Sequence, residues 1–476
     1  MITFFRTTLA LLLLSLASAA SLAKAQLTLP DNLASQLDTL LRQEISWQGE
    51  TPAYTVLVDH GGTTIYTQSL GLANIEHRVA PTKDTVYQVG SISKSYTALA
   101  ILQLVEQRKV KLDNSVNDYL EDYQGPGADA TIRQLLTHTS GIPNYTAIPE
   151  GRKILAWVPN QREDILALFQ DLPLDFAGGS NFSYSNSGYY LLGLIVEAVT
   201  GQDYYDHLAA NVYEPLGLTR TYSGNYEEMV PNRAQGYQIT PEGFLNAPPT
   251  PNLTPFAAGS IVASAEDIAK YRRNVFTSKA VSKKLLKLIT TTDEFADGTA
   301  QSYALGALIR GTLGDYEKWG HSGGISGFVS HHDYYPGADL TVVVLTNTGN
   351  PPASPPLIAR EVAAVVLGVS LEEARHELVT VDEAALNRYA GHYQMSPFRL
   401  MGDGTCSLFV KDGGLQARFG ATENDEEPGM PLQAISATEF LISGLSGYTL
   451  GIVEKNGQVT GFELHTPNGV WPAVRD

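Results

Sequence analysis

The sequence predicts an α+β protein: an antiparallel sheet flanked by helices, followed by a small all-β unit. Three observations carry this. Strand-like alternation occurs at both ends of the first two-thirds of the chain, with helical periodicity between them. That order is explained by one sheet built from both ends with helices on its faces. Beyond about residue 386 the texture changes to short strands punctuated by turn dipeptides.

In chain order, the first feature is an export-like segment. Arg6 supplies a positive end, Leu9 to Leu16 is apolar but too short to span a bilayer, and small residues follow to Ala25. Residues 1–25 are therefore expected to be a cleaved signal peptide leaving Gln26 first, and the protein to be periplasmic or secreted without a stable membrane anchor. A helix is expected over Leu33 to Glu44, and a β-hairpin over Tyr54 to Leu70 around Gly61-Gly62. A long apolar helix runs from about Ser91 to Gln107. A second spans about Ser187 to Val199 and stops at Gly201. Ser264-Ala265-Glu266-Asp267 resembles a capping box opening a third. Strands return from Tyr303 to Thr346, with Leu340 to Leu345 a solid apolar run, and a helix from about Leu357 to Leu367 completes a unit of residues 26–368. A linker is expected at 369–385. In 386–476 the pairs Asp403-Gly404, Asp412-Gly413, Asn456-Gly457 and Asn468-Gly469 mark hairpins of a barrel or sandwich.

Composition narrows the function. Of 476 residues, 43% are hydrophobic and 17% charged, enough for a sizeable core. The net charge of -18 argues against nucleic acid and anionic lipid as partners, since both are bound by cations. One cysteine, Cys406, allows no intrachain disulfide and no thiolate metal cluster. His331-His332-Asp333 is a poor metal site, because alternating strand residues face opposite ways.

Three local motifs suggest chemistry. Ser91-Ile92-Ser93-Lys94 follows a strand-like Val86 to Val89, crosses Gly90 and opens a helix. Residues three apart on a helix share a face, so the lysine amine can reach the serine hydroxyl. A serine needs a base to become a nucleophile, and burial lowers a lysine's pKa towards that role. The helix N-terminus also favours a developing anion. Tyr184-Ser185-Asn186 precedes the second apolar helix. The phenol can relay a proton, and the amide can bind lysine or a substrate carbonyl. His321-Ser322-Gly323-Gly324 begins an apparent glycine-rich edge strand, which lets a substrate backbone approach closely. There His321 and Ser322 can hold a substrate carboxylate, and the Gly324 N–H can join that of Ser91 as an oxyanion donor. Taken singly, each motif also fits an ordinary N-cap, buried tyrosine or strand histidine.

Together, in this order, they resemble the serine β-lactamase and penicillin-binding superfamily, more closely its class C β-lactamase and D-alanyl-D-alanine carboxypeptidase branch. The segments Val89 to Ser95, Phe182 to Tyr189 and Gly320 to Gly324 with Gly327-Phe328 carry the likeness. Leu135 to Gly141 and Pro215 to Gly217 are further family-like segments, read as scaffold, His138 included. The resemblance covers roughly Leu33 to Leu367. It implies a mixed α/β half, an all-helical half and a site between them. It also implies a Ser91 acyl-enzyme, proton transfer by Lys94 and Tyr184, substrate orientation by Asn186, His321, Ser322 and Gly323, and no metal or organic cofactor. Class C enzymes carry lysine where His321 stands. The histidine version resembles carboxypeptidases, D-aminopeptidases and some esterases. Expected substrates are therefore D-amino-acid peptides or amides, or small esters. A β-lactamase, or a penicillin-binding sensor that acylates without turnover, is the alternative. Tyr389 to Tyr393 resembles the opening of lipocalin-like barrels appended to some D-amino-acid peptidases.

Overall fold

The computed structural model describes residues 27, 29–45, 49–148, 161–278, 280–295, 300–375, 381–395, 404–411, 413–420, 429–442, 448–455, 457–466 and 469–476. The signal-peptide segment and the pairs Asp403-Gly404, Asp412-Gly413, Asn456-Gly457 and Asn468-Gly469 lie wholly or partly outside these.

The first helix, α1 (Leu33–Glu44), precedes the hairpin β1 (Tyr54–His60) and β2 (Thr63–Leu70). Gly61 and Gly62 both have positive φ, 64° and 86°, as the two-residue turn between twisted strands requires. After β3 (Val86–Gln88) comes a 3-10 turn, Gly90–Ile92, and then α2 (Ser93–Glu106). A stretch of short helices leads to α3 (Asn186–Thr200), capped at Gly201 by a left-handed residue, φ 68°. Strands β4 (Thr221–Tyr222), β5 (Tyr237–Thr240), β6 (Gly243–Asn246) and β7 (Val262–Ser264) precede α4 (Ala265–Thr277). The Ser264 side chain accepts from the Asp267 N–H, as expected of that N-cap. Then follow β8 (Thr292–Glu294), β9 (Ala300–Ala304), β10 (Leu308–Leu313), β11 (Tyr316–Ile325), β12 (Phe328–Tyr335), β13 (Leu340–Thr346) and α5 (Pro355–Leu367).

Eight strands form one antiparallel sheet in the order β2-β1-β13-β12-β11-β10-β9-β8. Strands from both ends of the unit thus meet at β1 and β13, registered Tyr54↔Thr346 through His60↔Leu340. Both faces of the sheet are covered. Val56, Val58, Val342 and Val344 pack with Leu37 and Leu41 of α1 and with Ile358 and Val362 of α5. Leu57, Val343 and Leu345 face the other way, into the core that holds α2, α3 and α4. Double burial is why β13 reads as a continuous apolar run rather than an alternating one.

The strand carrying His321 is interior, not an edge: β11 lies between β10 and β12. Its pairing with β10 ends at Ile309↔Gly320, while that with β12 continues to Ile325↔Phe328. From His321 onward β11 therefore outruns its neighbour and behaves as an edge.

The segment expected to be a linker starts as folded chain. Leu371–Ala374 is a helix, Ala374 is buried with α1 and α5, and Arg375 pairs with Glu44 and the fully buried Glu361. A second helix, Glu383–Tyr389, leads into the C-terminal unit. That unit is a closed eight-stranded barrel, β14 (Gly391–Met395), β15 (Thr405–Lys411), β16 (Gly414–Phe419), β17 (Met430–Ala434), β18 (Glu439–Ile442), β19 (Thr449–Lys455), β20 (Gln458–Thr466) and β21 (Gly469–Arg475). Each strand pairs antiparallel with the next, and β14 closes on β21. The last pairs of β15 with β16 and of β19 with β20 are Lys411↔Gly414 and Lys455↔Gln458, which bracket two of the expected dipeptides. Trp471 of the barrel packs against Phe182, ring centroids 6.3 Å apart, so the barrel stands beside the Tyr184 segment.

Candidate active site

The site forms where the 3-10 turn after β3 meets the unpaired length of β11. Gly90 adopts φ 50°, and a Cβ there would come within 2.8 Å of the Gly324 N. A Cβ at Gly323 would sit 2.0 Å from the Val89 carbonyl oxygen and 3.0 Å from the Ser91 N. Glycine at both positions lets the two backbones touch, which brings the Ser91 and Gly324 amides to one place. The Ser330 hydroxyl donates to the Val89 carbonyl at 2.8 Å, and the Val89 N–H donates to the Ile261 carbonyl at 3.0 Å, pinning the turn from β12 and from the residue before β7.

Ser91 is partly exposed, whereas Lys94, one turn along, is fully buried. The Lys94 Nζ lies 3.0 Å from the Ser91 Oγ, 2.7 Å from the Asn186 Oδ1 and 2.7 Å from the Ala258 carbonyl oxygen. The Asn186 amide is oriented by donation from its Nδ2 to the Thr146 hydroxyl at 2.9 Å. Burial holds the lysine well below its ordinary pKa, and no carboxylate enters this balance. The geometry then dictates a division of labour. A neutral amine has two N–H bonds and one lone pair. The Asn186 and Ala258 oxygens can only accept, so they take both N–H bonds. The lone pair is left for the hydroxyl proton of Ser91, which is the arrangement of a general base.

Tyr184 is the third member. Its ring centroid is 4.8 Å from the Lys94 Nζ. Its buried hydroxyl has a pKa pushed up by desolvation and partly pulled back by Ser91, although it makes no hydrogen bond of normal geometry. Barrel residue Tyr448 is close enough to add to the rise.

His321 lies 6.5 Å from Tyr184, centroid to centroid. Both of its nitrogens are engaged: Nδ1 donates to the Ser322 carbonyl and Nε2 accepts from the Tyr303 hydroxyl at 3.0 Å. Burial, with Lys94 nearby, pushes its pKa down to about 3, so it is an uncharged group at neutral pH. Ser322 alternates to the other sheet face, where its hydroxyl pairs with the His331 Nδ1 at 2.8 Å. The expected carboxylate-binding pair is thus split between two faces, and its histidine brings no positive charge. His332 pairs with Arg272 on one face, and His331 with Asp333 on the other, so that triplet does not converge on one point.

Sequence reasoning missed Ala258, Tyr303, Ser330 and the position of His138. Ala258 acts through a carbonyl, which any residue supplies, and Tyr303 is one of many tyrosines. His138 stood inside a family-like segment that offered no chemical role. It packs against the Tyr184 ring at 4.2 Å between centroids.

The profile of the Beta-lactamase family matches residues 31–367. The chain belongs to that family. It is 24% identical over 375 residues to penicillin-binding protein 4* of Bacillus subtilis, covering 74% of this chain and 80% of that protein. Among solved structures it is similar to an octameric penicillin-binding protein homologue from Pyrococcus abyssi, with TM-score 0.64, 25% identity, 92% of this chain and 99% of that one. It also shares the fold of a D-amino acid amidase from Ochrobactrum anthropi SV3, with TM-score 0.61, 22% identity, 72% of this chain and all of that one. The protein is a serine hydrolase of the β-lactamase and penicillin-binding superfamily. No helix among its described residues is long and apolar enough to cross a membrane.

Proposed function

We propose that the protein hydrolyses amides or small esters, D-amino-acid derivatives foremost, through an acyl-enzyme on Ser91. The observation that carries this is the buried Lys94 amine, 3.0 Å from the Ser91 Oγ with no carboxylate to hold its proton. Lys94 takes the Ser91 proton as Oγ attacks the substrate carbonyl carbon. The tetrahedral oxyanion is received by the Ser91 and Gly324 N–H groups. As the bond to the leaving group breaks, the proton returns to the departing amine or alkoxide through Tyr184. Water then attacks the Ser91 ester and gives a proton to the same pair; the acyl–Oγ bond breaks, Oγ takes that proton back, and the acid leaves. Asn186 fixes Lys94, and Gly323 provides clearance.

The uncharged His321 supports neutral or amine-bearing substrates over those anchored by a carboxylate, β-lactams included. The fold shared with a D-amino acid amidase is in keeping with this. The apolar run Leu9 to Leu16 after Arg6, with small residues to Ala25, supports export and action outside the cytoplasm. A panel of D-alanine amide, D-alanyl-D-alanine, p-nitrophenyl acetate and nitrocefin tests the reading. Turnover of the amide or ester, abolished in Ser91→Ala, is expected. Activity that survives in Ser91→Ala would overturn the mechanism, and nitrocefin as the best substrate would overturn the substrate class.

A further inference from the structure

His138 is buried, 1% exposed, with φ 59°, a left-handed conformation that is strained for a non-glycine residue. Such strain persists where the surroundings demand it. Here the demand is visible. The His138 carbonyl accepts from the Ser183 N–H at 2.9 Å, and its ring Nδ1 accepts from the Ser185 N–H at 3.1 Å. One residue thus grips the backbone on both sides of Tyr184, and its ring lies 4.2 Å from the Tyr184 ring, tilted 34°. Tyr303 and Tyr189 enclose it at 4.8 and 5.1 Å. Because Nδ1 accepts, the ring proton is on Nε2, which is buried with no hydrogen-bond partner among the described residues. A neutral imidazole with an unused donor is an expensive way to fill space, whereas a clamp needs the accepting nitrogen at that spot.

We infer that His138 is a positioning residue, a two-point clamp that holds the Tyr184 hydroxyl towards Ser91 and Lys94. This rests on the reading of Tyr184 as the proton-transfer group, and the experiment separates the two. With p-nitrophenyl acetate and the full chain, kcat and KM are measured for Tyr184→Phe, His138→Gly, His138→Asn and the Tyr184→Phe/His138→Gly double variant. Glycine accepts positive φ and keeps the carbonyl point but loses the ring point of the clamp, so kcat falls about 30-fold while KM moves less than about threefold. Asparagine tolerates the left-handed region and offers an oxygen near the Nδ1 position, so it recovers about tenfold of that loss. Because the clamp acts through Tyr184, glycine costs less than about threefold once the phenol is gone. The same glycine penalty in both backgrounds, or asparagine no better than glycine, overturns the clamp. Parental turnover in Tyr184→Phe would instead overturn the role of Tyr184. An inactive Tyr184→Phe beside a fully active His138→Gly would overturn the clamp alone. Should glycine unfold the chain, His138→Phe keeps the ring contacts, loses the acceptor and enters the same cycle, with the same outcomes deciding.

Discussion

The two faces of the β11–β12 pair bury ionisable groups in opposite ways. On one face Asp333, fully buried, is met by the Lys318 Nζ at 2.8 Å and the His331 Nε2 at 3.2 Å. Burial alone would raise its pKa, but Lys318 and His331 more than offset this and hold it well below the usual carboxylate range. On the other face Lys94 is equally buried and meets a hydroxyl, an amide oxygen and a carbonyl, none of them charged. A buried ion with a counter-ion keeps its charge and ties the fold together. A buried amine without one gives up its proton and becomes a base. The difference separates scaffold from chemistry more sharply than residue type does, since lysine and histidine occur on both faces.

Substitutions at the two faces break this contrast in opposite directions. The largest effect falls on the uncompensated face: Ser91→Ala and Lys94→Met each lower turnover of p-nitrophenyl acetate by about 10³-fold or more while leaving a cooperative melt. Next comes Tyr184→Phe, at about 10²-fold in kcat. Its buried hydroxyl makes no hydrogen bond of normal geometry among the described residues, so thermal stability stays level or rises. On the compensated face, Asp333→Asn removes the negative charge between Lys318 and His331 and one of the two oxygens that meet them, and lowers unfolding free energy by about 3 kcal/mol in denaturant titration. The folded fraction should turn over at close to the parental rate. A collapse of kcat in Asp333→Asn at unchanged stability would erase the distinction between the faces.

Much of this was legible because the motifs are local. Ser91 and Lys94 are one helical turn apart, and a strand, a glycine and an apolar helix in succession announce the turn between them. The bounds of α1 and of the β1–β2 hairpin followed from periodicity and from Gly61-Gly62 in the same way. What was not legible depends on contacts across the fold. That His321 and Ser322 part company follows from strand alternation, but the partners that occupy them, Tyr303 and His331, come from other strands. That β11 acts as an edge follows from where β10 stops. The start of the expected linker is anchored because Glu361 is buried on α5 and needs Arg375, a pairing invisible until the helix faces are known.

The smallest effect sharpens the comparison by pH. The folded pKa of Lys94 lies below its unfolded value of about 10.4, so its stabilising contribution is present above that pH and is lost as the pH falls. The stability of Lys94→Met relative to the parent therefore rises on acidification from about pH 10.4, by at most about 1.4 kcal/mol per pH unit. Asp333 has the same sign in a different window: its contribution is intact above the ordinary carboxylate pKa of about 3.9 and is lost only in stronger acid. Urea titrations at several pH values read both.

The pH dependence of the acylation rate, taken from the first turnover of p-nitrophenyl acetate, tests the state of Lys94 directly. A lysine already neutral at pH 7 gives a rate that is level from about pH 7 to 9 and falls only on the acid side. A rate that climbs about tenfold per pH unit towards pH 10.4 would show an ordinary protonated lysine and contradict the account.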